Sequence, residues 1–408
     1  MNVRNLTLAK SSPTKPIKHT SQSAVAAVKE LVPRIAARAR ESEQMRRVHP
    51  DTIRELHEAG LMRLMQPARF GGSELWLDDL MNVVFEIGKV CASSAWVYSN
   101  LASHAWNIGQ FDLQAQEDVW ASDPDALAAT GLAFPCGKAT PVDGGYRLSG
   151  RWPFCSGINA CTWMLVGAMT EQEGGPPQRR FFLVHEKDFI VYDNWNTYGL
   201  TGTGSHDIEV KDAFVPAHRS VSAEIFAAAH QLPGAKLYDN PLFAMPTFAA
   251  FAYVLCATPV AAAKGAVEQL TANLRQRSGT YTGARLAELN SVQIRIAEAS
   301  ACVEFAETVI RRDWQALEAC AKARDYPSME TKLGWKRNAA FATQLAVRAV
   351  DALMPASGAG GLSAEGGLQR QFRDIHAASS HIALTWDIHG AAYGQSALGL
   401  PSPAGFLL

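Results

Sequence analysis

The segment RQFRDIHAASSHIALTWDIHGAAYG, residues 370–394, places three histidines and a tryptophan in a stretch that is typical of a single helix. Histidine is the side chain whose charge changes near neutral pH, so His381 in this segment is a candidate for proton transfer. The histidines stand five and eight residues apart and no HExxH occurs, so the segment predicts no metal site. We therefore expect one C-terminal helix that carries a titratable group.

The helical pattern extends back from this segment to about residue 223. Two alanine-rich stretches, residues 243–274 and 288–323, have the small apolar side chains of helices that pack closely together. The glycine-rich sequence SGAGGLSAEGG, residues 357–367, separates the last two helices. Residues 223–408 are therefore predicted to form a C-terminal helical bundle.

An alternating pattern replaces the helical one between residues 123 and 222. The sequence VDGGYRLSG, residues 142–150, predicts a hairpin in which Asp-Gly supplies the positive φ of the turn. Turn-rich pieces such as EQEGGPPQ and GLTGTGSHD separate further short strands. The other predicted strands are Trp163–Met169, Arg180–Val184, Ile190–Asn194 and Ile208–Val210.

The first part of the chain has helical periodicity from residue 23 to 122, with nearly uniform apolar character between residues 77 and 108. Residues 1–22 are rich in Ser, Thr, Lys and Pro and predict a disordered or extended terminus. Helices, then a β domain, then a helical bundle is an α+β arrangement in three blocks.

Composition narrows the class of partner. The 408 residues carry 38 Lys and Arg against 39 Asp and Glu, which leaves no long-range field to attract nucleic acid or an anionic membrane. No signal peptide and no apolar run of about 18 residues is apparent, which predicts a cytoplasmic protein that acts on a small molecule. Seven dispersed cysteines without a CxxC pair predict reduced thiols.

Each block also contains a motif that resembles the acyl-CoA dehydrogenase superfamily. These motifs are PxxFGG at residues 67–72, GLTGTGSHDIEVKDAFVP at 199–216 and RDIHAASSH at 373–381. The resemblance covers nearly the whole chain. It implies the fold of that superfamily, with an N-terminal helical domain, a β-barrel-like middle domain and a C-terminal four-helix bundle, and it implies a homotetramer.

The chain departs from the dehydrogenases at the catalytic base. A dehydrogenase needs a carboxylate that removes the α-proton of a thioester while hydride passes to flavin. The usual glutamate of the superfamily aligns with Ile382, and the only carboxylate between Glu224 and Glu268 is Asp239, in a loop-like sequence. The chain therefore resembles the flavin-dependent monooxygenase branch, which includes the oxygenase components of p-hydroxyphenylacetate hydroxylases and dibenzothiophene monooxygenase.

This second resemblance implies an oxygenase component that receives reduced FMN or FAD from a separate NAD(P)H:flavin reductase. With O2 such an enzyme forms a flavin C4a-hydroperoxide, which hydroxylates or epoxidises a small aromatic substrate. Residues 237–263 contain no Lys or Arg, and a buried carboxylate without a cation is costly, so a neutral phenol or indole-like substrate is favoured. A dehydrogenase with a relocated base, sulfur or nitrogen oxygenation, and a non-catalytic flavin-binding protein stay open as alternatives.

Three residues are catalytic candidates by this resemblance. Ser156 faces flavin N5, where its hydroxyl hinders the proton loss by which the hydroperoxide decays. His381 lies at the reactive edge of the flavin and either accepts a proton from the substrate or, when protonated, donates one to the distal oxygen. His104 lines the oxygen-facing side of the pocket. A turn serine and satisfied core histidines are the ordinary structural alternatives.

The resemblance also assigns residues that bind flavin and substrate. Arg277 reaches the flavin phosphate across a subunit boundary, where a guanidinium pairs well with phosphate, and Arg275 is its competitor. Backbone groups at Ser357 and Gly358 serve the same end of the cofactor. The remaining flavin candidates are Trp96, Thr130, Phe154 and Cys155, and the substrate-pocket candidates are Phe243, Phe248, Phe251 and Trp386.

Overall fold

The computed structural model describes residues 16–172, 174–227, 231–281 and 283–401. Most of the predicted N-terminal extension, residues 1–15, lies outside these residues. The first block is helical, as predicted. Its helices are α1 (Ser21–Met45), α2 (Pro50–Glu58), α3 (Leu77–Gly88), α4 (Ala92–Gly109) and α5 (Leu113–Trp120).

Helix α4 lies at the centre of the molecule, and every one of its residues is buried. It packs against α3 and also against the other two blocks. Some of its polar side chains bond to backbone carbonyls, since the Ser99 hydroxyl donates to the Val254 carbonyl of the third block at 2.5 Å and the Asn100 amide donates to the Trp96 carbonyl at 2.7 Å. A buried helix can therefore present Trp96 and His104 at fixed positions.

The middle block is a mixed sheet of eight strands in the order β6-β7-β3-β2-β4-β5-β8, with β1 also paired to β4. Among the described strands the pairing ends at β6 and β8, so the predicted barrel-like domain is an open sheet. The strands are β1 (Ala128–Gly131), β2 (Gly137–Val142), β3 (Gly145–Cys155), β4 (Trp163–Gln172), β5 (Gly175–His185), β6 (Phe189–Tyr192), β7 (His206–Pro216) and β8 (Ser220–Ser222).

The hairpin predicted from Asp-Gly is confirmed, because β2 and β3 are joined by Asp143 and Gly144 and the glycine has a φ of +74°. The sequence EQEGGPPQ was expected to be turn, but β5 already begins at Gly175. Its two prolines are tolerated there because β8 pairs only with residues 180–182 of β5, which leaves the earlier part at an edge.

The third block is a helical bundle in which α8 to α11 pack on one another, and the predicted four-helix bundle is confirmed. Helix α12 packs against α10. Helix α3 of the first block approaches α8 closely because Gly88 has no side chain, and a Cβ there would lie 2.6 Å from that of Ala261. The helices are α6 (Ala223–Ala227), α7 (Pro233–Leu237), α8 (Thr247–Leu274), α9 (Asn290–Ala323), α10 (Met329–Ser357), α11 (Gly367–Ser379) and α12 (Trp386–Ala397).

The prediction of a single helix over residues 370–394 is wrong. The chain leaves α11 after Ser379 and re-enters a helix at Trp386, so His381 lies in the link between α11 and α12. Side chains take over the hydrogen bonds of the missing turn: the Ala383 N–H donates to Nδ1 of His381 at 3.1 Å, and Nε2 of His389 donates to the Ile382 carbonyl at 3.0 Å. Apolar periodicity does not reveal such bonds.

Helix α8 also corrects an expectation about apolar runs. By length and composition it could cross a bilayer, with a mean hydropathy of 1.5 over an 18-residue window. In this fold 83% of that window is buried inside the protein, which is typical of a core helix.

The bundle is tied to the loop between β6 and β7 by the Arg-Asp pair of the RDIHAASSH motif. Nη1 of Arg373 donates to the Tyr198 carbonyl at 2.6 Å, and the Leu200 N–H donates to Oδ1 of Asp374 at 2.6 Å. A Cβ on Gly199 would lie 2.2 Å from the Arg373 carbonyl, so only glycine fits this contact. Burial of Asp374 raises the pKa of its carboxyl to about 7.

We expect Asp374 to make stability pH-dependent. Because its pKa is about 7 in the folded protein and near 3.8 when unfolded, its favourable contribution is full below pH 4 and is lost as the pH rises to 7. The Tm of the wild type should therefore fall between pH 5 and pH 8 relative to that of Asp374→Asn, which keeps an acceptor for Leu200 without titrating. Identical pH dependence in the two proteins would contradict this account.

The Asp374→Ala variant separates the acceptor from the charge. It leaves the buried Leu200 N–H without its partner, so we expect it to be about 1–3 kcal/mol less stable than Asp374→Asn at both pH 5 and pH 8, read as a lower Tm in thermal melts.

Candidate active site

Ser156 lies in a tight turn at the end of β3. Phe154 has a φ of +63° and accepts a hydrogen bond at its carbonyl from the Ser156 N–H at 3.0 Å. Gly157 follows with a φ of +74°, and its N–H donates to the Thr203 carbonyl at 2.9 Å. A Cβ on Gly157 would lie 2.8 Å from Cγ1 of Val97, so the turn requires glycine for both its φ and its contact with α4.

The turn directs the three predicted cofactor contacts, Phe154, Cys155 and Ser156, to different surroundings. Phe154 is 67% exposed and its ring meets that of Trp195 edge-on at 6.2 Å, whereas Ser156 is half-buried. Cys155 points into the core, where its thiol donates to the Trp152 carbonyl at 3.5 Å and burial raises its pKa. The predicted cofactor contact of Cys155 can therefore involve only its backbone, because its side chain faces the interior.

The Ser156 hydroxyl is part of a continuous hydrogen-bonded chain. Nε1 of Trp96 donates to it at 3.1 Å, and Oγ of Ser205 lies 2.8 Å away on its other side. Oγ of Ser205 lies 2.7 Å from Oγ1 of Thr203, which donates to the Leu200 carbonyl at 2.8 Å. Thr203 and Ser205 were predicted only as members of a turn-rich piece and of the family motif at residues 199–216, without a role of their own, because their contacts with a distant strand leave no periodic signal in the sequence.

His381 packs beside this hydrogen-bonded chain of hydroxyl groups. Its ring meets that of Trp96 edge-on at 5.6 Å and that of Phe251 at 6.3 Å. Burial lowers its pKa to about 4, so the imidazole is neutral at pH 7. Because Nδ1 accepts the Ala383 N–H, the proton of the neutral ring lies on Nε2, which is therefore a hydrogen-bond donor.

His104 has the opposite polarity. Its Nδ1 lies 2.8 Å from the carbonyl of Ala128 on β1, and because a carbonyl only accepts, this nitrogen carries the proton. Burial lowers the pKa of His104 to about 4, which keeps the ring neutral and leaves Nε2 as an acceptor. Thr130, another candidate, is half-buried two residues further along the same strand.

Arg277, Ser357 and Gly358 meet at the start of the glycine-rich link between α10 and α11. Nη1 of Arg277 donates to the Ser357 carbonyl at 3.4 Å, and a Cβ on Gly360 would lie 3.0 Å from Nη2. Gly358 has a φ of +60°. The Ser357 hydroxyl donates to the Met354 carbonyl at 2.7 Å, so its proton is already engaged within the protein.

These two groups of residues fit the two ends of a flavin. A half-buried hydroxyl beside an indole and an exposed phenyl ring suits the polar edge and flat apolar face of an isoalloxazine. A guanidinium that rests against a side-chain-free loop suits a phosphate, because both the cation and backbone N–H groups can approach it closely.

The predicted substrate-pocket residues are not all together. Phe251 contacts His381, whereas Phe248 packs against Phe181 at 5.9 Å and Phe243 is fully buried against Tyr238 at 4.5 Å. Trp386 was expected near His381 in one helix, but the break after α11 turns it towards Phe341 at 5.2 Å. There it lines an open groove of about 330 Å³ between α9, α10 and α12.

The chain is similar to known proteins over most of its length. The chain matches the model of the acyl-CoA dehydrogenase N-terminal domain over residues 19–122 and that of the acyl-CoA dehydrogenase C-terminal domain over residues 253–386. It is 36% identical over 373 residues to the FADH(2)-dependent resorcinol hydroxylase, oxygenase component, of Rhizobium sp. (strain MTP-10005), which covers 89% of this chain and 90% of that protein.

Two solved structures are similar over nearly the whole chain. The 3-HSA hydroxylase from Rhodococcus sp. RHA1 has a TM-score of 0.89 and 31% identity, with 96% of this chain and 100% of that chain covered. XiaF from Streptomyces sp., in complex with FADH2 and glycerol, has a TM-score of 0.87 and 27% identity, with 94% and 97% covered. The fold inferred from the sequence motifs is confirmed.

Because His104 is neutral in the folded protein, we expect it to affect the stability of the protein at acid pH. Its pKa is about 4 when folded and near 6.5 when unfolded, so its contribution is full above pH 6.5 and is lost as the pH falls towards 4. His104→Asn keeps a donor for the Ala128 carbonyl but does not titrate. We expect the Tm of this variant to fall less between pH 7 and pH 5 than that of the wild type, by the equivalent of up to about 2 kcal/mol. Parallel melting curves at both pH values would refute the assignment.

Proposed function

The chain belongs to the acyl-CoA dehydrogenase family, among its flavin-dependent oxygenase components, and we propose that it hydroxylates a small neutral aromatic substrate with reduced FMN or FAD and O2. One observation carries this proposal. At the point where a dehydrogenase keeps its carboxylate, the chain has Ile382, which is 48% exposed. His381 beside it packs on Trp96, the partner of Ser156. A proton-abstracting base is replaced by a neutral hydrogen-bond donor.

The flavin is held at its two ends by the groups described above. Ser156 and Trp96 take the N5 edge, with Phe154 and the backbone of Cys155 beside it, while Arg277 and the backbone at Ser357 and Gly358 take the phosphate. When bound, reduced flavin supplies the electrons that activate O2. The protein supplies orientation and a buried, largely apolar setting that keeps water from the reacting atoms.

The two histidines define the polarity of the substrate site. His104 offers an acceptor at Nε2 and His381 offers a donor at Nε2, and both rings are neutral at pH 7. A phenolic hydroxyl can donate one hydrogen bond and accept another, so it matches both. An indole N–H matches His104 alone. A phenol is therefore the favoured class, and the resorcinol hydroxylase among the relatives agrees with it.

The same proposal predicts a separate partner enzyme and an oligomeric state. A separate NAD(P)H:flavin reductase delivers the reduced flavin, and the shared compartment is predicted to be the cytoplasm. A homotetramer is supported by large apolar side chains that are exposed on the outer helices, namely Ile294 and Phe305 on α9, Phe341 on α10 and Ile388 on α12. In such an assembly Arg277 can serve the flavin of a neighbouring subunit.

The function is tested by turnover with a generic NADH-dependent flavin reductase, catalase and a panel of phenols, indole and acyl-CoA thioesters. We expect a hydroxylated product from at least one phenol, with consumption of O2 and NADH. Bleaching of bound oxidised flavin by an acyl-CoA, without hydroxylation of any aromatic compound, would favour a dehydrogenase with a relocated base. Oxidation of sulfides or amines alone would favour the other oxygenation chemistries.

We expect His381 to affect what fraction of the activated oxygen is transferred to the substrate rather than released as hydrogen peroxide. His381→Ala removes the Nε2–H donor, and we expect the ratio of hydroxylated product to hydrogen peroxide to fall by roughly a hundredfold, the lower range for loss of a positioned proton donor. His381→Gln keeps an N–H group and should recover part of that ratio. An unchanged ratio in His381→Ala, measured in single turnover without catalase, would remove His381 from the mechanism.

A further inference from the structure

The hydroxyl chain at Ser156 has only one consistent direction. The Leu200 carbonyl can only accept, so the single hydroxyl proton of Thr203 is directed to it. Thr203 therefore accepts from Ser205, and Ser205, having used its own proton, accepts from Ser156. The indole N–H of Trp96 can only donate, and it fills one lone pair of Ser156. The Ser156 hydroxyl is left with one free lone pair, and its proton is already donated to Ser205.

We propose that Thr203 and Ser205 are positioning residues that fix Ser156 as a hydrogen-bond acceptor, and that this polarity makes the site select reduced over oxidised flavin. The inference rests on the proposed function, with Ser156 at flavin N5. N5 of a reduced flavin carries a hydrogen and donates, whereas N5 of an oxidised flavin has only a lone pair. If the Ser156 lone pair faces the lone pair of oxidised N5, the two atoms form no hydrogen bond with each other, and both have also lost the water that would otherwise bind them.

The surroundings of Thr203 and Ser205 keep the hydrogen bonds of the hydroxyl chain from reversing their direction. Thr203 is 1% exposed and Ser205 is 5% exposed, so water cannot readily replace either partner. The Leu200 N–H is held by Asp374, and the Thr203 carbonyl is held by the Gly157 N–H at 2.9 Å. Leu200 and Thr203 are thereby both fixed to the elements that carry the site.

The variant Thr203→Val tests the direction of the chain. Valine keeps the shape of threonine, and the Leu200 carbonyl retains two other donors, the Thr203 N–H and Nε1 of Trp195, each at 3.1 Å. Without the Thr203 oxygen, Ser205 can turn its proton to Ser156, and the Ser156 proton becomes available to the ligand. The preference for reduced flavin should then decline or reverse.

Thr201→Val is the matched control. The Thr201 hydroxyl donates to the Thr197 carbonyl at 2.9 Å in the same loop, but it does not belong to the chain that reaches Ser156. The substitution removes the same chemical group and should leave flavin selectivity unchanged.

The readout is equilibrium binding rather than turnover. Anaerobic titrations with reduced and oxidised FMN, and in parallel with FAD, give the ratio of the two Kd values for each protein. We expect Thr203→Val to lower the preference for reduced flavin by roughly tenfold or more relative to Thr201→Val. A tenfold change in this ratio corresponds to about 30 mV in the two-electron midpoint potential of the bound flavin, which spectroelectrochemistry measures independently.

Two results would overturn the inference. One is a folded Thr203→Val protein in which both affinities change equally or not at all. The other is a wild type that binds the two redox states of flavin equally well. Neither result decides the proposed function, because hydroxylation of a phenol by the wild type with a reductase is measured separately.

Discussion

The hydrogen bond from the Leu200 N–H to the buried carboxyl of Asp374 is the contact on which the rest of the site depends. Leu200 has a φ of +50°, an unfavourable conformation for a leucine, and the bond to α11 holds it there. Its carbonyl then ends the hydroxyl chain that reaches Ser156. The bundle and the sheet are thus joined at the point where the chemistry is proposed to occur.

The interior of this site works with fixed hydrogen-bond directions rather than with charges. Two neutral histidines, an indole and three hydroxyl groups each have a defined role as donor or acceptor, because each is bonded on one side to a backbone group or to another member of the set. Ionised side chains would be costly in so buried a setting, whereas oriented dipoles need no further reorganisation when a ligand binds. The wholly buried α4, which carries Trp96 and His104, provides the rigid support.

Much of this arrangement could be predicted from the sequence, and the exceptions share a physical cause. The three-block order, the Asp-Gly hairpin and the proximity of RDIHAASSH to the site follow from periodicity, turn chemistry and family motifs. The break between α11 and α12 does not, because Nδ1 of His381 and Nε2 of His389 replace backbone hydrogen bonds without changing the apolar pattern. The contact of Trp386 with Phe341 could not be predicted for the same reason.

Thr203 and Ser205 were overlooked because their importance lies in long-range contacts. Ser205 bonds to a residue 49 positions away, and Ser156 is bonded in turn to Trp96, 60 positions away. Local propensity treats such residues as ordinary members of a glycine-rich loop. Only the folded chain shows that their hydroxyls are connected in series.

The most direct test of the central claim is a crystal structure of the anaerobic complex with reduced FMN. The account predicts that Oγ of Ser156 lies within about 3.2 Å of flavin N5, with Oγ of Ser205 still bonded to Ser156 and the phosphate close to Arg277 of the same or a neighbouring subunit. A flavin whose N5 faces another part of the protein, or a Ser156 side chain turned away from Ser205, would contradict it.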